Sequence, residues 1–167
     1  MNEVFLTEKA KKIVSRFIEN GVTLSVAESC TGGWLSKILT DVSGISSIYK
    51  GGICSYSNEI KMKLLGVNEE TLKAYGAVSE QTAAEMAKGV REALDTDIGI
   101  STTGIAGPGG GTPEKPVGTI FVGISSRLGE RAVNLKLSPM RSRDFLRTCT
   151  AGYALSMALD EVLKITK

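Results

Sequence analysis

Ser29 and Lys61 are the residues whose types and settings in this sequence suit nucleophilic chemistry. Ser29 follows the apolar run 22–27 and precedes Cys30-Thr31-Gly32-Gly33, so it falls at a strand-to-helix corner, where unpaired backbone N–H groups collect. An acyl group attacked there gathers negative charge on its oxygen. The N–H groups of Cys30, Thr31 and Gly32 form a natural oxyanion hole, the glycines admit a carbonyl close to the backbone, and the helix dipole favours the charge. The plainer alternative is that Ser29 or Thr31 only caps the helix, a common use of these residue types.

The 167 residues include no histidine, which excludes Ser-His-Asp and Cys-His sites and leaves some other group to act as base. Lys61 suits that part. With Asn58 as the cap of a short helix, Lys61 takes about the third helical position, near the positive end of the macrodipole. Such a setting lowers a lysine's pKa, and a neutral amine accepts a serine proton. The competing reading is a solvated lysine beside Lys63. Tyr56, at the end of the second strand, is placed to hold the lysine or relay a proton. Cys30 is a rival nucleophile, because a thiolate at a helix N-terminus is activated; against it stands the usual role of a buried apolar cysteine. With no histidine and three scattered cysteines there is no zinc site, and only an all-oxygen magnesium site stays open. The expectation is no metal and no cofactor.

Two further groups suit an anionic ligand. The run from Gly104 through Gly107 to Gly111 resembles a phosphate cradle but lacks the Gly-Lys-Ser/Thr ending of a P-loop and the glycine spacing of the dinucleotide fingerprint. It reads as a flexible tip or as a wall presenting N–H groups to an anion. Arg141, Arg143 and Arg147 stand at the start of the last helix, where cations match the dipole poorly unless an anion joins them. A phosphate would be that anion; a solvated, charged helix start is the alternative.

The elements that must carry these residues follow from periodicity. Ala10, Ile13, Val14, Phe17 and Ile18 predict a helix from after Thr7 to Asn20-Gly21. Strands are predicted at 22–27, 52–56, 97–102, 119–125 and 131–137, the last two as an antiparallel hairpin. Helices are predicted after Thr31-Gly32-Gly33, over 58–65 and 70–75, after the cap Ser79, and from about Ser142. The glycine and proline segment 103–118 is too long for a mere connection and reads as a wall of the site. Alternating strands and helices with a closing hairpin give an α/β fold, a three-layer α/β/α sandwich around a mixed, mostly parallel five-stranded sheet. One domain is expected over 1–167.

Composition narrows the function further. Lys and Arg number 20 against 18 acidic residues with no long block of one sign, which argues against nucleic-acid binding and for a small-molecule substrate. An odd number of irregularly spaced cysteines predicts a reducing compartment, and neither a signal-peptide core at Met1-Asn2-Glu3-Val4-Phe5 nor an apolar run of about 20 residues is present. A cytoplasmic protein without membrane association is expected, with a homodimer as the default assembly of a small α/β enzyme.

Taken together, Ala27-Glu28-Ser29-Cys30-Thr31-Gly32-Gly33, Gly52, Tyr56-Ser57-Asn58 with Lys61, Gly76-Ala77-Val78-Ser79, Thr103-Gly104-Ile105-Ala106-Gly107-Pro108 and Lys115-Pro116-Val117-Gly118-Thr119 resemble the CinA C-terminal domain family, in order and across nearly the whole chain. The resemblance implies a nicotinamide-nucleotide amidase, which converts nicotinamide mononucleotide to nicotinate mononucleotide and ammonia in pyridine nucleotide salvage. It further implies Ser29 as nucleophile, Lys61 as base, Tyr56 as a supporting hydroxyl, Thr103 as a substrate contact and Arg143 as the anchor of the phosphate or substrate. Many members carry a larger N-terminal domain resembling molybdopterin-binding proteins, and this chain resembles the stand-alone form. The approach Pro139-Met140-Arg141-Ser142-Arg143 departs from the glycine-containing pattern expected, which leaves the anchor open between Arg141 and Arg143. The alternative function is a non-catalytic nucleotide-binding or regulatory module.

Overall fold

The structure, a computed structural model, describes residues 3–167, so Met1 and Asn2 of the N-terminal segment lie outside the described residues. Leu6, Ala10, Ile13, Val14 and Phe17 are buried along one stripe, and α1 (Glu3–Asn20) begins before Thr7 because Leu6 already belongs to that stripe. Ile18, expected on the same face, lies on its flank and is exposed. There follow β1 (Leu24–Glu28), α2 (Trp34–Thr40), a 3-10 turn at Ile45–Ser47, β2 (Tyr49–Cys54), α3 (Asn58–Leu65) and α4 (Glu69–Tyr75). The second half comprises α5 (Glu80–Ala93), β3 (Ile98–Gly104), β4 (Ile120–Ser126), β5 (Gly129–Asn134) and α6 (Arg143–Ile165). Among the described residues no helix is long and apolar enough to cross a membrane.

The five strands form one sheet in the order β2-β1-β3-β4-β5. β1 is parallel to both β2 and β3, whereas β4 is antiparallel to β3 and to β5. Only β4 therefore runs against the rest, as expected of a mostly parallel sheet closed by a hairpin.

The two faces of the sheet differ in size of side chain. Leu24, Val26, Ile98, Ile100, Val122 and Ile124 point to one side, where α1, α2 and α6 complete the main core. The alternate positions Ser25, Gly99, Ser101, Gly123 and Ser125 face α5. There the Ser101 hydroxyl donates to Ala83 O at 2.5 Å and the Ser25 hydroxyl to Val90 O at 3.2 Å. A Cβ on Gly99 would stand 2.2 Å from Ala87 O and one on Gly123 2.3 Å from Ala83 O, so this helix seats on the sheet only because those positions carry no side chain. α3 and α4 pack on α5 and complete the third layer.

Several boundaries differ from the sequence expectation, each for a reason of pairing. β2 ends at Cys54, because β1, its only neighbour, ends at Glu28; Ser55 N still donates to Glu28 O at 2.8 Å, and Tyr56 lies beyond the strand. β3 runs on to Gly104 because β4 continues to pair with it there, Gly104 opposite Ile120. β5 begins at Gly129 in the hairpin turn; past its end Leu135 N and Leu137 N still donate to Ile120 O and Gly118 O at 2.8 and 2.9 Å. α2 starts only at Trp34, leaving residues 29–33 as a turn.

Candidate active site

The carboxyl ends of β1 and β2 set the first two functional side chains. Ser29 leaves β1 directly, its N–H donating to Thr102 O at 2.9 Å, and it is half-buried. From β2 the chain passes Ser55 and Tyr56 into α3, whose cap is Ser57 and not Asn58: the Ser57 hydroxyl accepts from Ile60 N at 3.3 Å. Lys61 is thus the fourth helical residue and points inward, 1% exposed. Its Nζ donates to Ser55 O at 2.5 Å and lies 3.1 Å from Ser29 Oγ, a separation that serves a proton moving either way. No ion pair forms at this amine among the described residues, and burial holds its pKa below 10.5.

The turn after Ser29 is built differently from the expected helix start. Glu28, 1% exposed, turns back and caps α2: its carboxyl oxygens accept from Gly33 N at 2.9 Å, Leu35 N at 3.0 Å, Ser36 N at 2.8 Å and the Ser36 hydroxyl at 2.6 Å. The positive end of that helix is therefore occupied, and the helix dipole is not aimed at Ser29. The turn itself closes by Gly32 N donating to Ser29 O at 3.2 Å, with Gly32 and Gly33 at φ 58° and 92°, values that suit glycine. Of the three expected oxyanion donors, Gly32 is thus engaged, whereas the N–H groups of the buried Cys30 and Thr31 have no backbone acceptor among the described residues, and that of Cys30 lies against its own thiol. The Thr31 and Thr102 hydroxyls meet at 2.6 Å beneath the turn.

Cys30 is 6% exposed and burial pushes its thiol up to about 12, which removes the thiolate that a cysteine nucleophile requires. Thr103 is 1% exposed, and its hydroxyl donates to Ala77 O at 2.8 Å, tying the end of β3 to the approach to α5. Gly104 packs against Ile120, and Gly107 is buried with a positive φ of 71°. The long loop is not a free tip at its base: the Lys115 amine donates to Tyr75 O at 2.6 Å and Val78 O at 2.8 Å.

The three arginines part company. Arg143 Nη1 donates to Gly107 O at 2.8 Å and Nη2 to the hydroxyl of the exposed Tyr56 at 3.3 Å, so Arg143, the loop and Tyr56 form one rim. Arg141 instead stacks on Phe145, its guanidinium carbon 4.9 Å from the ring centroid. Arg147, which the sequence suggests for a phosphate, donates through Nε and Nη2 to Thr31 O at 3.2 and 2.6 Å. Sequence reasoning assigned nothing to Glu28, although a glutamate between a strand and a Gly-Gly helix entry is the available signal. Tyr56 sits at this rim, and among the described residues the hydrogen bonds of the Lys61 amine go to Ser55 O and Ser29 Oγ, not to the tyrosine hydroxyl.

No group of three or more His, Cys, Asp or Glu side chains is arranged for a metal ion among the described residues. A cavity of about 610 Å³ lies at the opposite end of the sheet, lined by Val22, Asp97 and Arg127 among others, where Asp97 accepts from Thr23 N and the Thr23 hydroxyl.

The profile of the CinA C-terminal domain family matches residues 6–162. The chain belongs to that family. Among curated relatives, a CinA-like protein of Shewanella baltica is 49% identical over 154 residues, covering 92% of this chain and 36% of the relative. The chain thus spans about a third of the length of the curated relatives it matches. Among solved structures, the competence/damage inducible protein CihA of Agrobacterium tumefaciens superimposes with a TM-score of 0.90 at 37% identity, covering 96% of this chain and 97% of that one. A CinA superfamily protein of Klebsiella pneumoniae gives 0.91 at 27% identity, covering 98% and 99%. The three-layer α/β architecture is therefore the CinA-family fold at full length of this chain.

Proposed function

We propose that this CinA-family chain is an amidohydrolase that converts nicotinamide mononucleotide to nicotinate mononucleotide and ammonia through an acyl-enzyme on Ser29, with no metal or other cofactor. The observation that carries the reading is the Lys61 amine, buried, without an ion pair among the described residues and 3.1 Å from Ser29 Oγ. A nucleotide-binding module has no use for an amine buried at that cost beside a serine.

In the reaction the neutral Lys61 amine takes the Ser29 proton as Oγ attacks the carboxamide carbon. The tetrahedral oxyanion is met by the N–H groups of Cys30 and Thr31, which have no backbone acceptor among the described residues. Collapse breaks the C–N bond, and the departing nitrogen takes the proton from Lys61 and leaves as ammonia. Water then adds to the acyl ester, again giving its proton to Lys61. When the C–Oγ bond breaks, that proton returns to Ser29 and the nicotinate nucleotide departs. Arg143, braced by Gly107 and Tyr56, is assigned the phosphate, and Thr103 and Gly104 are assigned contacts to the substrate.

The test is ammonia release from nicotinamide mononucleotide in EDTA by the wild type and Ser29→Ala. Release that vanishes in the variant is expected. Release that survives it would remove Ser29 from the mechanism, and none from folded wild type would favour the binding module.

A further inference from the structure

The two donors to Thr31 O come from one guanidinium, and this contact has a consequence for the turn. Thr31 O and Gly32 N belong to the same peptide unit, so a group that fixes the oxygen also fixes the N–H that closes the turn onto Ser29 O at 3.2 Å. Arg147 fixes it with two bonds, at 2.6 and 3.2 Å, and its guanidinium is itself held over the Trp34 ring, 5.9 Å from the centroid. A lysine at this position would bring one point charge in place of a planar fork. On the other side of the turn the Thr31 hydroxyl is tied to Thr102. Among the described residues the N–H groups of Cys30 and Thr31 have no backbone acceptor in this turn. Arg147 also stands four residues after Arg143 on α6, so one helical face reaches both the turn and the Gly107 loop.

We infer that Arg147 is a positioning residue of the acyl-transfer step: it holds the Thr31–Gly32 peptide so that the Cys30 and Thr31 N–H groups point where the oxyanion forms, and it does not bind the substrate phosphate. The inference rests on the amidase reading for its chemistry. It predicts an effect on the reaction rate with little on substrate affinity, because the group acts through the backbone turn.

The experiment uses Arg147→Ala and Arg147→Lys with two readouts: ammonia release from nicotinamide mononucleotide, and the rate at which a fluorophosphonate labels Ser29, whose phosphoryl oxygen needs the same N–H groups. In Arg147→Ala, kcat and the labelling rate are expected to fall together, on the order of 10- to 100-fold. KM should stay within about threefold, the pH inflection should not move, and free guanidinium should restore part of kcat. Arg147→Lys should regain only a small share of the loss. A raised KM at unchanged kcat would make Arg147 a substrate anchor and overturn the inference. So would losses in both variants no larger than their loss of folded protein in thermal melts, or an unaffected kcat. If the wild type releases no ammonia, the amidase reading is what fails, and labelling alone then decides the role of Arg147.

Discussion

Glu28 accepts both the backbone N–H and the hydroxyl of Ser36, eight residues ahead, and so closes the start of α2 with its own carboxyl group. The residue immediately before the candidate nucleophile is spent on structure, and it releases the turn from serving as a helix terminus. Glu28→Ala would leave the buried Leu35 N–H and the part-buried Gly33 and Ser36 N–H groups without their acceptor. Each such orphan costs about 1–3 kcal/mol, so urea denaturation should show a midpoint well below that of the wild type. An unchanged midpoint would mean that water replaces the cap without loss.

The pH dependence follows from Lys61. Burial lowers its folded-state pKa below 10.5, and in the proposed mechanism the neutral amine is the active form. Ammonia release should therefore rise with pH through an inflection below 10.5 and then level. Between the lowered folded value and 10.5 the unfolded chain binds more protons at this residue, so its contribution to stability rises with pH across that window. Lys61→Met should flatten that rise and cut kcat by about 10²- to 10⁴-fold. An activity profile that falls with pH over the same range would contradict a neutral amine base.

The arginines separate in kinetics as they do in space. Arg143→Ala removes a charged contact worth about 1.5–3 kcal/mol and should raise KM for the nucleotide by about 10- to 100-fold, whereas Arg141→Ala, at the Phe145 ring, should leave KM within about twofold. The reverse ranking in steady-state kinetics would move the anchor to Arg141.

Thiol chemistry tests the exclusion of Cys30. At pH 8, iodoacetamide should modify the exposed Cys54 well before the buried Cys30, as read by mass spectrometry of the peptides. Cys30→Ala should keep most of the activity; a collapse to the level of Ser29→Ala would reinstate the thiol.

The seating of α5 gives a packing test. Gly123→Ala places a methyl group 2.3 Å from Ala83 O and should destabilise by about 1–3 kcal/mol. A melt unchanged by this substitution would show that the helix can shift outward without loss.

Most of the architecture was legible because apolar periodicity reports which face of an element is buried. Leu35, Ile38 and Leu39 on α2, and Ala83, Met86 and Val90 on α5, are buried as their spacing requires. Boundaries were less so, since strand ends are set by neighbours distant in sequence: nothing local to Tyr56 says that β1 stops at Glu28. Lys61 was likewise matched to Ser29 by residue type alone, and the 31 residues between them carry no distance. Polar side chains that turn back on their own backbone were the hardest to read. Glu28 and Arg147 could be placed in the chain, but the groups they bond are fixed only by the folded turn.

The register between β1 and β2 now acquires a mechanical meaning. Ser29 departs from one of these neighbouring strands, and the path to Lys61 departs from the other, with Glu28 opposite Cys54. β2 is an outermost strand, held by a partner on one side only. Sliding it by a single residue would carry Ser55 and the helix behind it about 3.3 Å, more than the whole 3.1 Å gap between amine and hydroxyl. The alignment of these two ribbons is thus the gauge that sets the distance between amine and hydroxyl, and any ligand or substitution that loosens the sheet's margin would part the proposed base from the serine without touching either.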